Sequence, residues 1–438
     1  MLDVLGTLEL VILTFALYAT AVGLCGLFTK SPPEDSPPET RFAVVVPAHN
    51  EEQVLGPLIK SLKGLDYPSR LYDVVVIADN CTDSTAEVAL KAGATRVIER
   101  QDSRLRGKGH ALQFAFEKLG LLGDEPTRYD AVVVFDADNL VEPGFLRAMN
   151  NRLLAGEKII QSFLDSKNPD DTWISAATSV MFWLNNRFIL QARYNLGLAA
   201  ALSGTGMCIS RDVLKDVGWS TQTLTEDLEY SMKALTHGYR TTVAAETRTY
   251  DEKPLTFMAS CRQRLRWARG QVDVAVRYIP ALLATAVKRI SIVPVESALR
   301  LCQLFVLVAG ASLALVGIAL PGTLRAWILI HGLVSDVTPL AVALPYIPYA
   351  VPMLVLAVDA PPIRPFRFTP LFPLFGYSWI LLILVGMLTF RHKAWMPTRH
   401  VRDLDPDSVV RRGDQGGSEG RKIPRSRTDR SSVFAGQR

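Results

Sequence analysis

A short apolar segment followed by two aspartates constrains the fold of this chain more than any other stretch. Residues Ala131–Phe135 are uniformly apolar and rich in valine, which is typical of a strand buried on both faces of a parallel sheet. In open α/β sheets, ligands bind beyond the carboxyl ends of the strands. Asp136 and Asp138 are therefore expected at the rim of the sheet, where carboxylate oxygens suit Mg²⁺ or Mn²⁺. Because an Asp-x-Asp pair also occurs in ordinary polar loops, its assignment depends on the rest of the chain.

The segments around this strand alternate between strand and helix patterns from residue 41 to about residue 249. The apolar runs predict strands at Phe42–Val46, Asp73–Ala78, Thr95–Ile98 and Ala131–Phe135, and the stretches between them predict helices at Glu51–Leu65, Ser84–Ala92 and Lys108–Leu119. Such alternation predicts an α/β fold with a mostly parallel sheet and helices on both faces.

Three loops at the predicted strand ends collect polar residues. They are Pro47-Ala48-His49-Asn50-Glu51-Glu52, Asp79-Asn80-Cys81-Thr82-Asp83 and Arg106-Gly107-Lys108-Gly109-His110. In the third loop, glycine permits close backbone approach and Lys108 can contact a phosphate. Each loop alone is compatible with ordinary turn chemistry. Their position at the same sheet edge as the two aspartates favours one shared binding site.

A helix start with two acidic residues follows at Leu224-Thr225-Glu226-Asp227, and Gly238 can end that helix. Thr225 is a plausible N-cap, and acids in a first turn favour the helix dipole. This structural interpretation stands beside a functional one, in which Asp227 is a general base aimed at an acceptor hydroxyl.

The segment Gln263-Arg264-Leu265-Arg266-Trp267 predicts an amphipathic helix at a membrane interface. Gln263, Arg266 and Trp267 lie at i, i+3 and i+4, so they share one side of the helix. Arginine can bind a diphosphate in a bidentate way, and tryptophan offers a flat face to a sugar ring. An anchor in the lipid head-group region is equally compatible with this pattern.

Composition indicates a membrane protein and excludes a nucleic-acid binder. Hydrophobic residues make up 49% of the 438 residues, and the formal net charge is only +5. The basic excess is concentrated after residue 390, where 12 Lys and Arg stand against 6 Asp and Glu. The 5 cysteines are scattered without metal-ligand spacing, which favours a reduced catalytic region facing the cytosol.

Hydrophobic stretches predict membrane spans at Val4–Phe28, Phe305–Leu320, Val337–Val358 and Leu371–Phe390. Lys30 and Arg41 follow the first span, so its C-terminal side is expected in the cytoplasm. Three later crossings would put the basic residues after position 390 outside. Either the last segment is re-entrant or interfacial, or Trp327–Val334 contributes another crossing, and a cytoplasmic tail is favoured.

We therefore expect six regions along the chain. They are an N-terminal anchor (1–30), a proline-rich linker (31–40), a cytoplasmic α/β domain (41–254), interfacial helices (255–300), a C-terminal membrane region (301–392) and a disordered basic tail (393–438).

Taken in order, these motifs resemble the family 2 glycosyltransferases, specifically the membrane-bound branch of cellulose, chitin, hyaluronan and poly-N-acetylglucosamine synthases. The resemblance covers about Phe42 to Gly270. It implies a GT-A fold, a nucleotide-sugar donor that is UDP-linked, a Mg²⁺ or Mn²⁺ ion, and transfer with inversion to a β-linkage. A multi-pass membrane protein with a cytoplasmic catalytic domain follows from the same resemblance.

The resemblance also implies roles for individual residues. The nucleobase and ribose would be held by Asp79, Lys108 and the loop residues Pro47, His49, Asn50 and Glu51. Asp136 would face the donor sugar or ribose and help Asp138 with the metal ion, and Asp227 would take the proton of the acceptor hydroxyl. The diphosphate and the acceptor sugar would be held by Glu226, Gln263, Arg266, Trp267, and by Gly204 and Thr205 of a small-residue loop.

We expect the helix start to keep the pKa of Asp227 low, so that this residue is a weak base. The leading functional hypothesis is a processive synthase of a β-linked polysaccharide, with export and an export partner left open. The second is a distributive transferase that adds one or few sugars to a lipid acceptor, and a remote third is a catalytically silent membrane scaffold. The loop Ser203-Gly204-Thr205-Gly206 differs from the usual loop of the polymer synthases, which weakens the case for polymer export by this chain.

Overall fold

The computed structural model describes residues 2–319, 359, 361–362 and 364–393. Its helices are α1 (Leu2–Leu24), α2 (Leu55–Lys63), α3 (Thr85–Ala92), α4 (Lys108–Lys118), α5 (Phe145–Leu154), α6 (Trp173–Leu184), α7 (Ala192–Asn195), α8 (Arg211–Val217), α9 (Glu226–His237), α10 (Phe257–Arg289), α11 (Ile292–Ala319) and α12 (Phe372–Thr389). Its strands are β1 (Phe42–Ala48), β2 (Tyr72–Asp79), β3 (Arg96–Arg100), β4 (Ala131–Val134), β5 (Leu140–Val141), β6 (Ile159–Ser166), β7 (Met207–Ser210) and β8 (Thr241–Asp251).

The eight strands form one mixed sheet in the order β3-β2-β1-β4-β7-β6-β8-β5. Strands β3, β2, β1 and β4 are parallel to one another, which confirms the predicted α/β half of the sheet. The other half combines a parallel β6–β8 pair with antiparallel pairs between β4 and β7, β6 and β7, and β5 and β8. Four of the seven strand pairs are thus parallel, as predicted for most of the sheet, and the other three are antiparallel.

Both faces of the sheet are buried, because alternate residues of each central strand point to opposite sides. On β1, Val44 and Val46 pack with Leu58 of α2 on one face, whereas Val45 packs with Phe116 of α4 on the other. A strand with two buried faces must be apolar throughout, which explains the uninterrupted valine runs of β1, β2 and β4. Its polar residues are thereby confined to the strand ends, where a binding site can form.

Three helices of the described residues are long and apolar enough to cross a membrane, at Leu10–Leu27, Ile292–Leu313 and Arg364–Thr389. The first and last agree with the predicted spans. The second begins earlier than the predicted Phe305, because α11 runs without interruption from Ile292 to Ala319 and thus across the expected boundary at residue 300. The predicted span Val337–Val358, the segment Trp327–Val334 and the tail after Lys393 lie outside the described residues.

Two helical segments connect the sheet domain to the membrane helices. Helix α10 is 33 residues long and continues through Pro280. Helix α6 continues through a π-helical segment (Asn185–Gln191) into α7, and it packs against the C-terminal region through a cluster that contains Trp183 and Phe375. Both segments fix the orientation of the sheet relative to the membrane helices.

Candidate active site

A cleft of about 370 Å³ opens at the carboxyl ends of β1, β2 and β4. Fourteen of the fifteen candidate residues line it: Pro47, His49, Glu51, Asp79, Lys108, Asp136, Asp138, Gly204, Thr205, Glu226, Asp227, Gln263, Arg266 and Trp267. The fifteenth, Asn50, lies outside the lining. Residues more than 200 positions apart thus meet at one edge of the sheet, as the positions of the loops predicted.

Asn50 joins two strand-end loops. It adopts a left-handed backbone conformation (φ 57°), as does Asn80 (φ 52°), and asparagine tolerates this region better than most residues. The Asn50 Oδ1 atom accepts a hydrogen bond from the Thr82 backbone N–H at 2.8 Å, and the Glu51 N–H donates to Thr85 Oγ1 at 2.9 Å. These bonds hold the loops after β1 and β2 together beside the cleft.

Asp79 is fixed by an arginine that the sequence interpretation missed. The Arg100 Nη1 atom lies 2.6 Å from Asp79 Oδ1, and both side chains are buried. The two residues are direct neighbours in the parallel register of β2 and β3. In addition, His49 Nδ1 hydrogen-bonds the Asp79 carbonyl oxygen at 2.7 Å. A basic residue at the end of a neighbouring predicted strand was the available signal, but only the register reveals the pairing.

Lys108 lies among acidic groups at the centre of the cleft. Its Nζ atom is 2.5 Å from Asp136 Oδ1, donates to the Gly204 carbonyl oxygen at 2.6 Å and is 4.0 Å from Glu226 Oε1. Burial opposes the charged form of Lys108, but Asp136 and Glu226 outweigh it, so the pKa of Lys108 is raised. This lysine therefore neutralises part of the negative charge that the carboxylates concentrate here.

Asp138 is almost fully buried, with 4% of its surface exposed. Its Oδ2 atom accepts a hydrogen bond from the Glu252 N–H at 3.1 Å, and its carbonyl oxygen accepts one from Lys167 Nζ at 2.6 Å. Next to it, Asp251 forms an ion pair with the buried Lys253. Among the described residues, no three or more His, Cys, Asp or Glu side chains are arranged as a metal site. Since Mg²⁺ is commonly held by one or two carboxylates together with substrate phosphates, the pair Asp136 and Asp138 still fits such an ion.

Asp227 occupies the first turn of α9, and its environment contradicts the expected low pKa. Burial raises the pKa of Asp227 to about 7, and the charge of Glu226 adds to this effect. The Leu228 N–H, Lys108 and Arg266 act in the opposite direction but are weaker. The prediction from the helix dipole was wrong because desolvation of a buried carboxylate exceeds the stabilisation at a helix start. An aspartate with this pKa is half-ionised near neutral pH and is well suited to accept a proton.

The loop after Ala201 brings backbone next to this carboxylate. Gly204 has φ +87°, and a Cβ atom built there would lie 3.4 Å from Asp227 Oδ2 and 3.8 Å from Lys108 Nζ. A side chain at this position would fill the space above the carboxylate. Glycine thus keeps Asp227 accessible from the cleft.

Helix α10 contacts both the cleft and the last membrane helix. Arg266 Nη1 donates to the Leu224 carbonyl oxygen at 3.3 Å, and Trp267 stacks on Trp379 of α12 with ring centroids 6.4 Å apart. About one turn before Trp267, the buried Arg264 also contacts α12, donating to the Phe375 carbonyl oxygen and to Ser378 Oγ. The membrane helix therefore determines where the cleft-facing residues of α10 lie.

Lys393, which follows α12, also reaches the cleft. Its Nζ atom donates to the Gln222 carbonyl oxygen at 2.9 Å and lies 3.4 Å from Asp273 Oδ2. The expected tail thus begins with a residue that contacts the loop before α9. The end of α12 therefore lies beside the sheet domain.

Comparison with known proteins agrees with this geometry. A family model described as "Glycosyltransferase like family 2" matches residues 37–270. A β-monoglucosyldiacylglycerol synthase of Synechocystis is 27% identical over 55% of this chain and 52% of its own length. A poly-β-1,6-N-acetyl-D-glucosamine synthase of Staphylococcus epidermidis is 22% identical over 54% of this chain and 56% of its own length. The chain spans about half the length of these relatives.

Among solved structures, the fold is similar to that of the mannosyltransferase PcManGT from Pyrobaculum calidifontis, solved in complex with GDP-Man and Mn²⁺. The TM-score is 0.57 at 19% sequence identity, and the match covers 89% of this chain and 99% of the other. This similarity agrees with a GT-A-like α/β fold.

Proposed function

The chain belongs to glycosyltransferase family 2, and on that premise we propose that it transfers a sugar with inversion from a UDP-linked donor to an acceptor hydroxyl at the membrane. The observation that carries this proposal is the environment of Asp227. A carboxylate with a pKa of about 7 faces the cleft beside Gly204 and Lys108. Such a group can take a proton from a hydroxyl that attacks the anomeric carbon. Direct attack on an α-linked donor gives a β-linkage.

The donor is proposed to lie along the strand-end loops. Asp79 is held in one orientation by Arg100, so its remaining carboxylate oxygen can accept a hydrogen bond from a nucleobase N–H. The loop residues Pro47, His49 and Glu51 line the same end of the cleft. Asn50 contributes by holding the loops together. Lys108 lies nearer the cleft centre, which makes a contact with the diphosphate or the donor sugar more plausible than one with the nucleobase.

Negative charge grows on the diphosphate as it leaves, and the cleft offers cationic groups to balance it. We propose that Asp138 and Asp136 hold a Mg²⁺ or Mn²⁺ ion that supplies Lewis-acid stabilisation of this leaving group. From the chain itself, Arg266 of α10 contributes a fixed guanidinium, and Lys108 contributes an ammonium. Glu226 helps to keep Lys108 charged and raises the basicity of Asp227.

A growing β-linked polysaccharide is the first candidate acceptor. In addition to Asp227, the cleft is lined by Gln222, Thr223, Gln263 and Trp267. Amide and hydroxyl groups beside an aromatic ring are suited to sugar hydroxyls and to the apolar face of a sugar ring.

A lipid acceptor is the second candidate. Trp267 contacts Trp379, which lies in a helix able to cross a membrane, so the acceptor end of the cleft adjoins the bilayer. A lipid hydroxyl could enter there while its acyl chains remain in the membrane. Both candidates are consistent with a multi-pass protein whose sheet domain is cytoplasmic, and polymer export would need a partner or a path that this proposal leaves open.

Incubation of purified membranes with a panel of UDP- and GDP-sugars and Mg²⁺ or Mn²⁺ tests the proposal. We expect a UDP-sugar to be consumed, and the size of the product separates a polysaccharide from a glycolipid. Asp227→Asn should abolish transfer but leave donor binding nearly intact. Asp212→Asn, which changes an exposed aspartate of α8, is the matched control. Absence of any donor consumption by the wild-type chain, or equal loss of binding and transfer in Asp227→Asn, would contradict the proposal.

A further inference from the structure

A buried polar cluster lies between α1, α7 and α11, away from the cleft. It contains the buried Arg193, Glu296 and Ser297 together with the partly buried Tyr18 and Arg300. Arg193 Nη2 lies 2.9 Å from Glu296 Oε1, and both side chains are at least 95% buried. The Tyr18 hydroxyl donates to the same Glu296 oxygen at 2.9 Å. A charged cluster inside helices that can span a membrane is costly, so it needs partners for all its polar groups.

The internal contacts leave this cluster incomplete. Arg193 Nε, Ser297 Oγ and Arg300 Nη2 are buried polar atoms without a hydrogen-bond partner in the part of the chain that the structure describes. Glu296 Oε2 also lacks a donor there. Two arginines against one glutamate leave one surplus positive charge, and the same cluster carries three unused donors. One anionic group with acceptor oxygens would satisfy both the charge and the donors.

The depth of the cluster indicates where such a group comes from. Glu296 and Arg300 lie about one and two turns from the start of α11, and Tyr18 lies about 9 Å from the end of α1. Both helix ends connect directly to the sheet domain and α10, so they mark one membrane surface. At this depth, a bilayer presents the phosphates and glycerol groups of its lipids.

We propose that the cluster between α1, α7 and α11 binds the phosphodiester head group of a membrane phospholipid. The phosphate oxygens accept hydrogen bonds from Arg300, Ser297 and Arg193, and a head-group hydroxyl donates to Glu296 Oε2. Phosphatidylglycerol carries one negative charge and such hydroxyls, so it matches the unused groups. This site is separate from the proposed transfer reaction, and its lipid is neither donor nor acceptor.

The test uses the full chain, freed of lipid in a maltoside detergent that contains no phosphate. Dioleoylphosphatidylglycerol is compared with dioleoylglycerol, which has the same acyl chains and lacks the phosphate. We expect native mass spectrometry to retain one phosphatidylglycerol per chain, and we expect this lipid to raise the apparent unfolding temperature. Dioleoylglycerol should do neither. Equal effects of the two lipids would overturn the proposal.

Variants distinguish binding at this site from a general attraction of the protein to anionic lipid. Arg300→Gln is expected to weaken phosphatidylglycerol binding about tenfold or more, since a charge-assisted hydrogen bond and the surplus charge are lost. Lys288→Gln removes an exposed charge from the last turn of α10 and should leave binding unchanged. Ser297→Ala keeps all charges, so it still tests the site if the Arg300→Gln variant does not fold. It should weaken binding several-fold without altering stability in lipid-free detergent.

Unchanged binding in both Arg300→Gln and Ser297→Ala would overturn the assignment. Stabilisation by inorganic phosphate at the lipid concentrations used would show an anion site for a soluble ligand and overturn the lipid source. Because these readouts need no sugar transfer, failure of the proposed function would leave this test unaffected.

Discussion

The ionisation of Asp227 gives the sharpest test of the site. Burial and the neighbouring Glu226 raise the pKa of Asp227 to about 7, and the base is active only in its ionised form. The rate should therefore rise with pH and level off above about pH 7. One pH unit below the pKa, about one-tenth of the carboxylate is ionised, so the rate should be about tenfold below its plateau.

Two substitutions should shift the acidic limb of the pH–rate profile, the pH range in which the rate rises, in opposite directions. Glu226→Gln removes a negative neighbour, so the limb should shift to lower pH. Lys108→Met removes a positive neighbour, so the limb should shift to higher pH even though the plateau rate also falls. Each shift should be on the order of one pH unit, since unit charges a few Å apart in a protein interact by a few kcal/mol or less.

The assay is the initial rate of sugar transfer at subsaturating donor, between pH 5 and 9, because kcat/KM reports ionisations of the free enzyme. Glu117→Gln, an exposed glutamate of α4, is the control and should leave the profile unchanged. A wild-type limb near pH 4 would refute the argument from burial. Shifts of the same sign in the Glu226 and Lys108 variants would refute the electrostatic part of it.

Three further variants test other parts of the site. Asp138→Ala should remove metal-dependent donor binding measured by calorimetry, and binding that persists equally with and without a chelator would count against Asp138 as a ligand. Trp267→Ala should lower acceptor transfer more than donor hydrolysis, a ratio that labelled donor measures directly. Arg264→Met removes two hydrogen bonds from a buried guanidinium to α12 and should destabilise the protein by about 2 kcal/mol, visible as a lower unfolding temperature. Arg262→Met, at an exposed position two residues away, should not destabilise the protein, and equal destabilisation by both variants would contradict the assignment.

The part of the fold that local patterns determine could be predicted from the sequence. Strands β1, β2 and β4 are buried on both faces, so their continuous valine runs identify them. Strands β6, β7 and β8 were not predicted, because polar residues interrupt β6 and β8 and β7 is only four residues long. Long-range partners, rather than local propensity, decide where such strands form.

Which residues line the cleft could also be predicted, because loops at the carboxyl ends of neighbouring strands must meet. The ionisation states of these residues could not be predicted. The position of Asp227 at a helix start indicates a low pKa, but its burial depends on Gly204, Lys108 and α10, which are distant in sequence. Asn50 shows the same limit, since its polar side chain holds a neighbouring loop instead of lining the cleft.

Helix α10 explains why the geometry of this site depends on the membrane helices. A Cβ atom at Gly270 would lie 2.5 Å from the Thr225 side chain, so only glycine lets α10 approach the start of α9 this closely. On the membrane side, a Cβ atom at Gly386 of α12 would lie 2.9 Å from the Ala268 side chain. Small residues thus let α10 pack tightly between α12 and α9, the helix that carries the proposed base Asp227. Because neither contact leaves room for a side chain, a displacement of α12 must be passed through α10 to Asp227, and membrane packing becomes part of the active-site geometry.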